Sequence, residues 1–132
     1  LVHRNNKNSE LTVYGYTPMM VSVQCVQKTM DHCNHACVQY VLKDRYQKEF
    51  RGVCSCEFCY NTIYNTLPTS LLKEKAEKLG VKAYRLSFTI ETQQETEKIV
   101  RAFVDVYLRG QKPDGQMQTE ETTKGHFQRG VE

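Results

Sequence analysis

Val81-Lys-Ala-Tyr-Arg-Leu-Ser-Phe-Thr-Ile-Glu-Thr-Gln-Gln-Glu95 changes its hydrophobic period in mid-run, and that change decides the fold class. Over the first ten residues Tyr84, Leu86, Phe88 and Ile90 fall on one face, with Arg85, Ser87 and Thr89 on the other. This is the two-residue period of a strand that rests one face on a core. At Thr92 the pattern switches. Thr92 stands three residues before Glu95, the spacing of a capping box. Ile99, Val100, Phe103, Val104, Tyr107 and Leu108 then recur as the apolar stripe of a helix closed by Gly110. Upstream, Pro68-Thr-Ser70 precedes Leu71, Leu72, Ala76 and Leu79, with Gly80 just beyond, which predicts a capped helix over 71–79. Helix, strand, helix in this order predicts an α/β arrangement with a parallel sheet.

Further toward the N-terminus the signals are strands. Residues 1–9 are polar and turn-like and read as a linker. Glu10-Leu-Thr-Val-Tyr-Gly15 and Met19-Met-Val-Ser-Val23 are β-favouring runs separated by a bend at Gly15 to Pro18. Cys25 to Cys37 shows little periodicity and is expected as a loop or one irregular helical turn. Val38-Gln-Tyr-Val-Leu42 and Glu49-Phe-Arg-Gly-Val53 flank a polar tip and predict a β-hairpin. Residues 111–124 turn to Gln, Thr, Gly and charge and read as a flexible loop.

At 132 residues the chain supplies one modest domain, here taken as a single partial domain over 1–132. The first residue is not Met, which suggests a piece of a longer polypeptide, and no apolar leader follows it. No apolar stretch approaches the roughly 20 residues that span a bilayer, so no membrane association is expected. The net charge of +3 forms no Lys/Arg stripe along a face, so composition does not identify a nucleic-acid binder, nor does it exclude an RNA substrate.

All six cysteines lie between Cys25 and Cys59. A disulfide scaffold would spread its bridges along the chain and need an oxidising compartment, whereas reduced clustered thiols fit a cytoplasmic metal site. Cys56-Glu-Phe-Cys59 puts two thiolates on one tight turn, and Cys25 and Cys33 form a second, wider-spaced group beyond the hairpin. Three readings stay open on spacing alone. An iron–sulfur cluster takes Cys25, Cys33, Cys56 and Cys59, leaving Cys37 and Cys54 over. A structural zinc site uses the same four or recruits His32 or His35. The third is a set of reduced thiols acting as small hydrophobes.

Catalytic signatures are sparse. There is no G-x-S-x-G elbow and no H-E-x-x-H helix. His126, with Arg129 and Glu132 close by, is the histidine best suited to a substrate site; the alternative is a plain loop histidine. Arg85, on the polar face of its strand, would need an anion: a substrate carboxylate or phosphate, or an internal salt-bridge partner. Tyr14, Tyr60 and Tyr64 could stack on a ring or serve as core residues. The basic hairpin from Lys43 to Arg51 could track a nucleic-acid backbone or be a solvated tip.

Glu10-Leu-Thr-Val-Tyr-Gly15, Pro18-Met-Met-Val-Ser-Val-Gln-Cys25, Leu42-Lys-Asp-Arg45 with Glu49-Phe50, and Cys56-Glu-Phe-Cys59-Tyr-Asn-Thr-Ile-Tyr-Asn65 together resemble the signature block of the collagenase-like peptidase family U-thirty-two. Tyr84-Arg-Leu-Ser-Phe-Thr89 and Gly125-His-Phe-Gln-Arg-Gly-Val-Glu132 resemble further blocks of it, in order, although Ser87 stands where many relatives carry an acidic residue. The resemblance implies the back half of a (β/α) barrel-like core with an inserted β-hairpin and cysteine-rich segment. It implies either a peptidase, by family name, or a protein of iron–sulfur-dependent hydroxylation acting on RNA or a quinone precursor. It also implies a cluster, of the four-iron type, on Cys25, Cys33, Cys56 and Cys59. Zinc holding a non-catalytic binding module is the alternative. Arg85, His126 and Arg129 would then face a peptide, an RNA or a small anionic substrate. The implied partner is the N-terminal half of the same core, in whose absence exposed sheet edges favour self-association.

Overall fold

The computed structural model describes residues 8–30, 33–74, 80–113 and 121–124. The chain divides into two units, one formed by Leu1–Gly15 with Leu67–Glu132 and the other by Tyr16–Thr66.

In the first unit, β1 (Glu10–Gly15) is flanked by β6 (Thr69–Ser70), antiparallel, and by β7 (Ala83–Ser87), parallel. The α-helix that follows β7, here α2 (Gln93–Phe103), packs Ile99 and Phe103 onto Val13, Tyr14, Leu71 and Leu72. Tyr84, Leu86 and Phe88 pack on the same core, as the alternation required. Tyr14 belongs to this core, its ring against Phe88 and Phe103, so it is structural. The capping box forms in full: the Glu95 N–H donates to Thr92 Oγ1 at 3.3 Å and the Thr92 N–H to Glu95 Oε2 at 2.7 Å.

Three local expectations are adjusted here. The strand from Val81 is shorter than its alternation, because the Glu91 carboxylate takes the Thr89 and Ile90 N–H groups at 2.7 and 3.0 Å and bends the chain ahead of the helix. The helical stripe drifts at its end. Val104–Leu108 is π-helical, with the Arg109 N–H on Val104 O at 3.2 Å. The wider turn brings Val106 and Tyr107 to the core and leaves Leu108 77% exposed. Thr69–Ser70 forms β6 instead of a helix start, and Leu72–Glu74 is a turn; the rest of the expected 71–79 helix, residues 75–79, lies outside the described residues. Within the expected 111–124 loop, Thr123 makes a bridge to Thr69: the Ser70 N–H donates to Thr123 O at 2.9 Å and the Thr123 N–H to Pro68 O at 3.0 Å. Residues 114–120 are outside the description.

The second unit is one antiparallel sheet of order β2-β5-β4-β3, built from β2 (Pro18–Ser22), β3 (Gln39–Lys43), β4 (Glu49–Ser55) and β5 (Tyr60–Tyr64). The expected hairpin is β3–β4. Its tip closes on Asp44, whose Oδ1 accepts the Tyr46 and Lys48 N–H groups at 2.7 and 2.9 Å. A single helical turn, α1 (Val26–Thr29), follows Cys25. Pairing sets Met20, Ile63, Gly52 and Tyr40 in one row across the sheet, and Ser22, Asn61 and Cys54 in the row two residues on. Both rows therefore face the same side.

The whole is a mixed α/β architecture, mostly strands. Among the described residues these strands make two open sheets and close no barrel, since neither strand order returns to its first strand; β1 and β7 are the parallel strand pair. No helix among them is long and apolar enough to cross a membrane.

Candidate metal centre

The cysteines are carried by three pieces of the second unit. Cys25 ends the exit from β2 and is fixed by α1, since its carbonyl accepts the Thr29 N–H at 3.1 Å and the Thr29 hydroxyl at 3.0 Å. Cys54 lies in β4, its N–H on Val38 O at 2.9 Å. Cys56 and Cys59 sit in the loop that joins β4 to β5. That loop is a tight turn, with the Phe58 N–H on Ser55 O at 3.2 Å and Cys59 in the left-handed region at φ 52°.

Asn61 assembles these pieces. It is almost wholly buried in β5, donates from Nδ2 to Gln24 O at 2.6 Å, and accepts the Cys54 thiol on Oδ1 at 2.8 Å. The next contact crosses between the two cysteine groups: the Cys56 thiol donates to Ala36 O at 2.7 Å, with Gln27 Oε1 at 3.7 Å. The Cys59 thiol turns to Cys56 O at 3.8 Å.

Electrostatics report the same convergence. Burial pushes the Cys56 thiol up, and Cys37, Cys25, Cys33 and Cys59 each push it further. Burial also pushes the Cys54 thiol up, reinforced by Cys25 and Cys56, while the Gln27 N–H acts in the opposite sense. Cys56 thus senses four of the five other thiols. Negative charge at Cys54 and Cys56 is unfavourable beside the other sulfurs without a cation, and a bound cation would reverse that preference.

The donor chemistry fits a thiolate-held centre: six reduced cysteines, three of them buried, with amide and carbonyl groups around the sulfurs. Among the described residues no three His, Cys, Asp or Glu side chains stand jointly at ligating positions, so closing a site requires the side chains to turn inward from their present partners. His35, at φ 55°, belongs to the same segment; His32 lies outside the described residues.

On the face that carries Cys54 a cleft of about 300 Å³ opens between Met20, Met30, Leu42, Ile63 and Tyr40. None of the side chains lining it is charged. Its polar wall includes Gln24 and Asn61, the residues that bracket the Cys25 and Cys54 thiols.

The other expected site residues do not join this group. Arg85, in β7 of the first unit, is exposed and pairs with Glu10. That is the internal salt bridge, with the guanidinium in solvent instead of on a barrel axis. His126 and Arg129 lie outside the described residues. Sequence reasoning missed Asn61 and Tyr40. Asn is disfavoured in the middle of a strand, and a buried one two residues after Cys59 was the available signal for the first. No family model, no curated protein and no solved structure matches the chain.

Proposed function

We propose that the 16–66 unit seats an iron–sulfur cluster on Cys25, Cys33, Cys56 and Cys59, within the core of a collagenase-like peptidase-family protein. The observation that carries this reading is the Cys56 thiol on Ala36 O at 2.7 Å, which ties the C-x-x-C loop to the Cys33–Cys37 segment twenty residues earlier in the chain. Cys54 is the cysteine best explained without a metal, because Asn61 holds it in the sheet. Cys37, exposed, stands within electrostatic reach of Cys56 as a fifth sulfur.

A cluster-dependent hydroxylation role is supported over peptide hydrolysis. The Cys54, Cys56 and Cys59 thiols donate to amide and carbonyl oxygens, groups that cannot take a proton as the base beside a nucleophilic cysteine must. The uncharged cleft beside the thiols suits an apolar ring better than an anion. In this reading β1, β7 and α2 are part of a larger (β/α) barrel core completed by further parallel strands.

Anaerobic reconstitution with iron and sulfide tests the proposal. Broad visible absorption with iron and sulfide bound in stoichiometric amounts supports it. A colourless protein that holds one zinc and rejects iron assigns the site to a zinc-held binding module, and a protein that binds neither overturns the metal reading.

A further inference from the structure

The Tyr40 hydroxyl is sealed from solvent and has no hydrogen-bond partner. Its ring crosses β4 over Gly52, where a Cβ would lie 2.2 Å from the tyrosine Cζ and 2.6 Å from the hydroxyl oxygen, so glycine is what leaves it room. The phenol is thereby carried from the edge strand β3 toward the middle of the sheet, along the row that continues to Ile63 and Met20. A buried donor without an acceptor is unfavourable, and the cleft on this face supplies its explanation.

Met20, Val26, Met30, Leu42 and Ile63 line that cleft together with Tyr40, and no lining side chain carries a charge. Polar groups elsewhere in the wall have protein partners. Ser22 Oγ accepts the Gln24 N–H at 3.1 Å, the Thr29 hydroxyl donates to Cys25 O at 3.0 Å, and Asn61 engages both Gln24 O and the Cys54 thiol. Among the described residues the Tyr40 hydroxyl is the buried wall group left without one. The volume of about 300 Å³ lies at the lower end of ligand pockets and suits one substituted ring. Met20 and Met30, 53% and 72% exposed, are unbranched side chains that re-pack readily around an entering ring and favour contact of sulfur with its edge.

We propose that this cleft binds a small neutral aromatic compound whose carbonyl oxygen accepts the hydrogen bond of the Tyr40 hydroxyl. The proposal rests on the apolar-ring reading of the cleft given above, and on no metal. Each property of the ligand follows from the walls. A charged ligand would give up its hydration to a surface without a counter-charge. A ligand hydroxyl or amide would bring a further donor into apolar surroundings, whereas a ketone, aldehyde or ester oxygen brings an acceptor alone. A water in its place needs two or more polar partners, and the side chains along the row, Met20 and Ile63, offer none.

The test titrates acetophenone, ethylbenzene and benzoate into the metal-free chain with isotope-labelled methionine methyl groups, followed by NMR. Acetophenone should shift the Met20 and Met30 signals saturably and leave Met19, which does not line the cleft, unmoved. Wild type should bind it about tenfold more tightly than ethylbenzene, the worth of one neutral hydrogen bond, and benzoate should not saturate. Tyr40→Phe keeps the ring over Gly52 and removes only the hydroxyl. The variant should bind ethylbenzene as wild type does and acetophenone about tenfold more weakly. Equal affinities of wild type for acetophenone and ethylbenzene show a hydroxyl that stays unpaired or is served by water, and overturn the proposal. So does a Tyr40→Phe chain that keeps full affinity for acetophenone, or benzoate that binds as tightly. Met20 and Met30 signals that never saturate overturn the site itself. A variant that loses ethylbenzene too has lost its cleft, and the wild-type comparison then decides alone. The iron–sulfur reading is read out separately, by reconstitution, so either can fail without the other.

Discussion

The Cys54 thiol meets Asn61 Oδ1 at 2.8 Å, and both side chains are almost wholly withdrawn from solvent. The same asparagine donates to Gln24 O at 2.6 Å, so one side chain joins β4, β5 and the approach to Cys25. Asn61→Ala should remove both bonds, leaving a carbonyl and a thiol without partners. The expected loss is about 2–4 kcal/mol in urea unfolding, larger than a cavity of that size alone would give. Asn61→Ser, which can replace one bond, should recover part of it.

Cysteine variants separate ligands from neighbours. Cys25→Ser, Cys33→Ser, Cys56→Ser and Cys59→Ser should each cut iron retention severely. Cys37→Ser and Cys54→Ser should retain most of it, with elemental analysis as the readout. Cys59→Gly is the most informative of the set. Cys59 sits at φ 52°, where glycine relieves strain, so that variant should lose iron while its metal-free fold is unchanged or up to about 1 kcal/mol more stable.

Legibility followed the range of the interaction. Glu10–Gly15, the β3–β4 hairpin and the Thr92–Glu95 capping box are specified by neighbours in sequence, and the structure carries them where the pattern put them. Thr69 and Ser70 look like a helix start because their polar side chains suit a cap. Their backbone instead pairs with Tyr14 and Gly15, and a bridge from Thr123 lies on the other side, partners more than fifty residues away in each direction. A period of 3.6 puts Leu108 on the helical stripe, and the π turn at Val104–Leu108 does not keep that period. At the centre, spacing alone could group the thiols but could not reveal that a glycine opposite Tyr40 makes room for its ring.

Gly52 should tolerate no side chain. Gly52→Ala brings its methyl to 2.2 Å from the Tyr40 Cζ, so the ring must leave the face of β4. An expected loss of about 1–3 kcal/mol, as for other overpacked cores, would appear in denaturant unfolding. The double variant Gly52→Ala with Tyr40→Ala should show less than the sum of the single effects. Strict additivity would mean that the two residues are not in contact.

Tyr107 supplies a pH signature for the first unit. Burial, then Tyr84, then Glu74 push its phenol from the ordinary 10.0 up to about 12. Below pH 10 the phenol is neutral in the folded and unfolded chains alike, and its contribution is complete. As pH rises from 10 toward about 12, the unfolded chain releases the proton while the folded one keeps it, and stability falls. The ring is only partly enclosed, so the loss should be about 1–2 kcal/mol, below what the full shift would give. The hydroxyl also donates to Leu71 O at 2.8 Å. Tyr107→Phe should therefore be less stable by about 1 kcal/mol at neutral pH yet show a flatter alkaline decline. Urea unfolding at neutral pH and at a pH between the two values measures both, and an alkaline decline equal to wild type would assign the effect to other tyrosines.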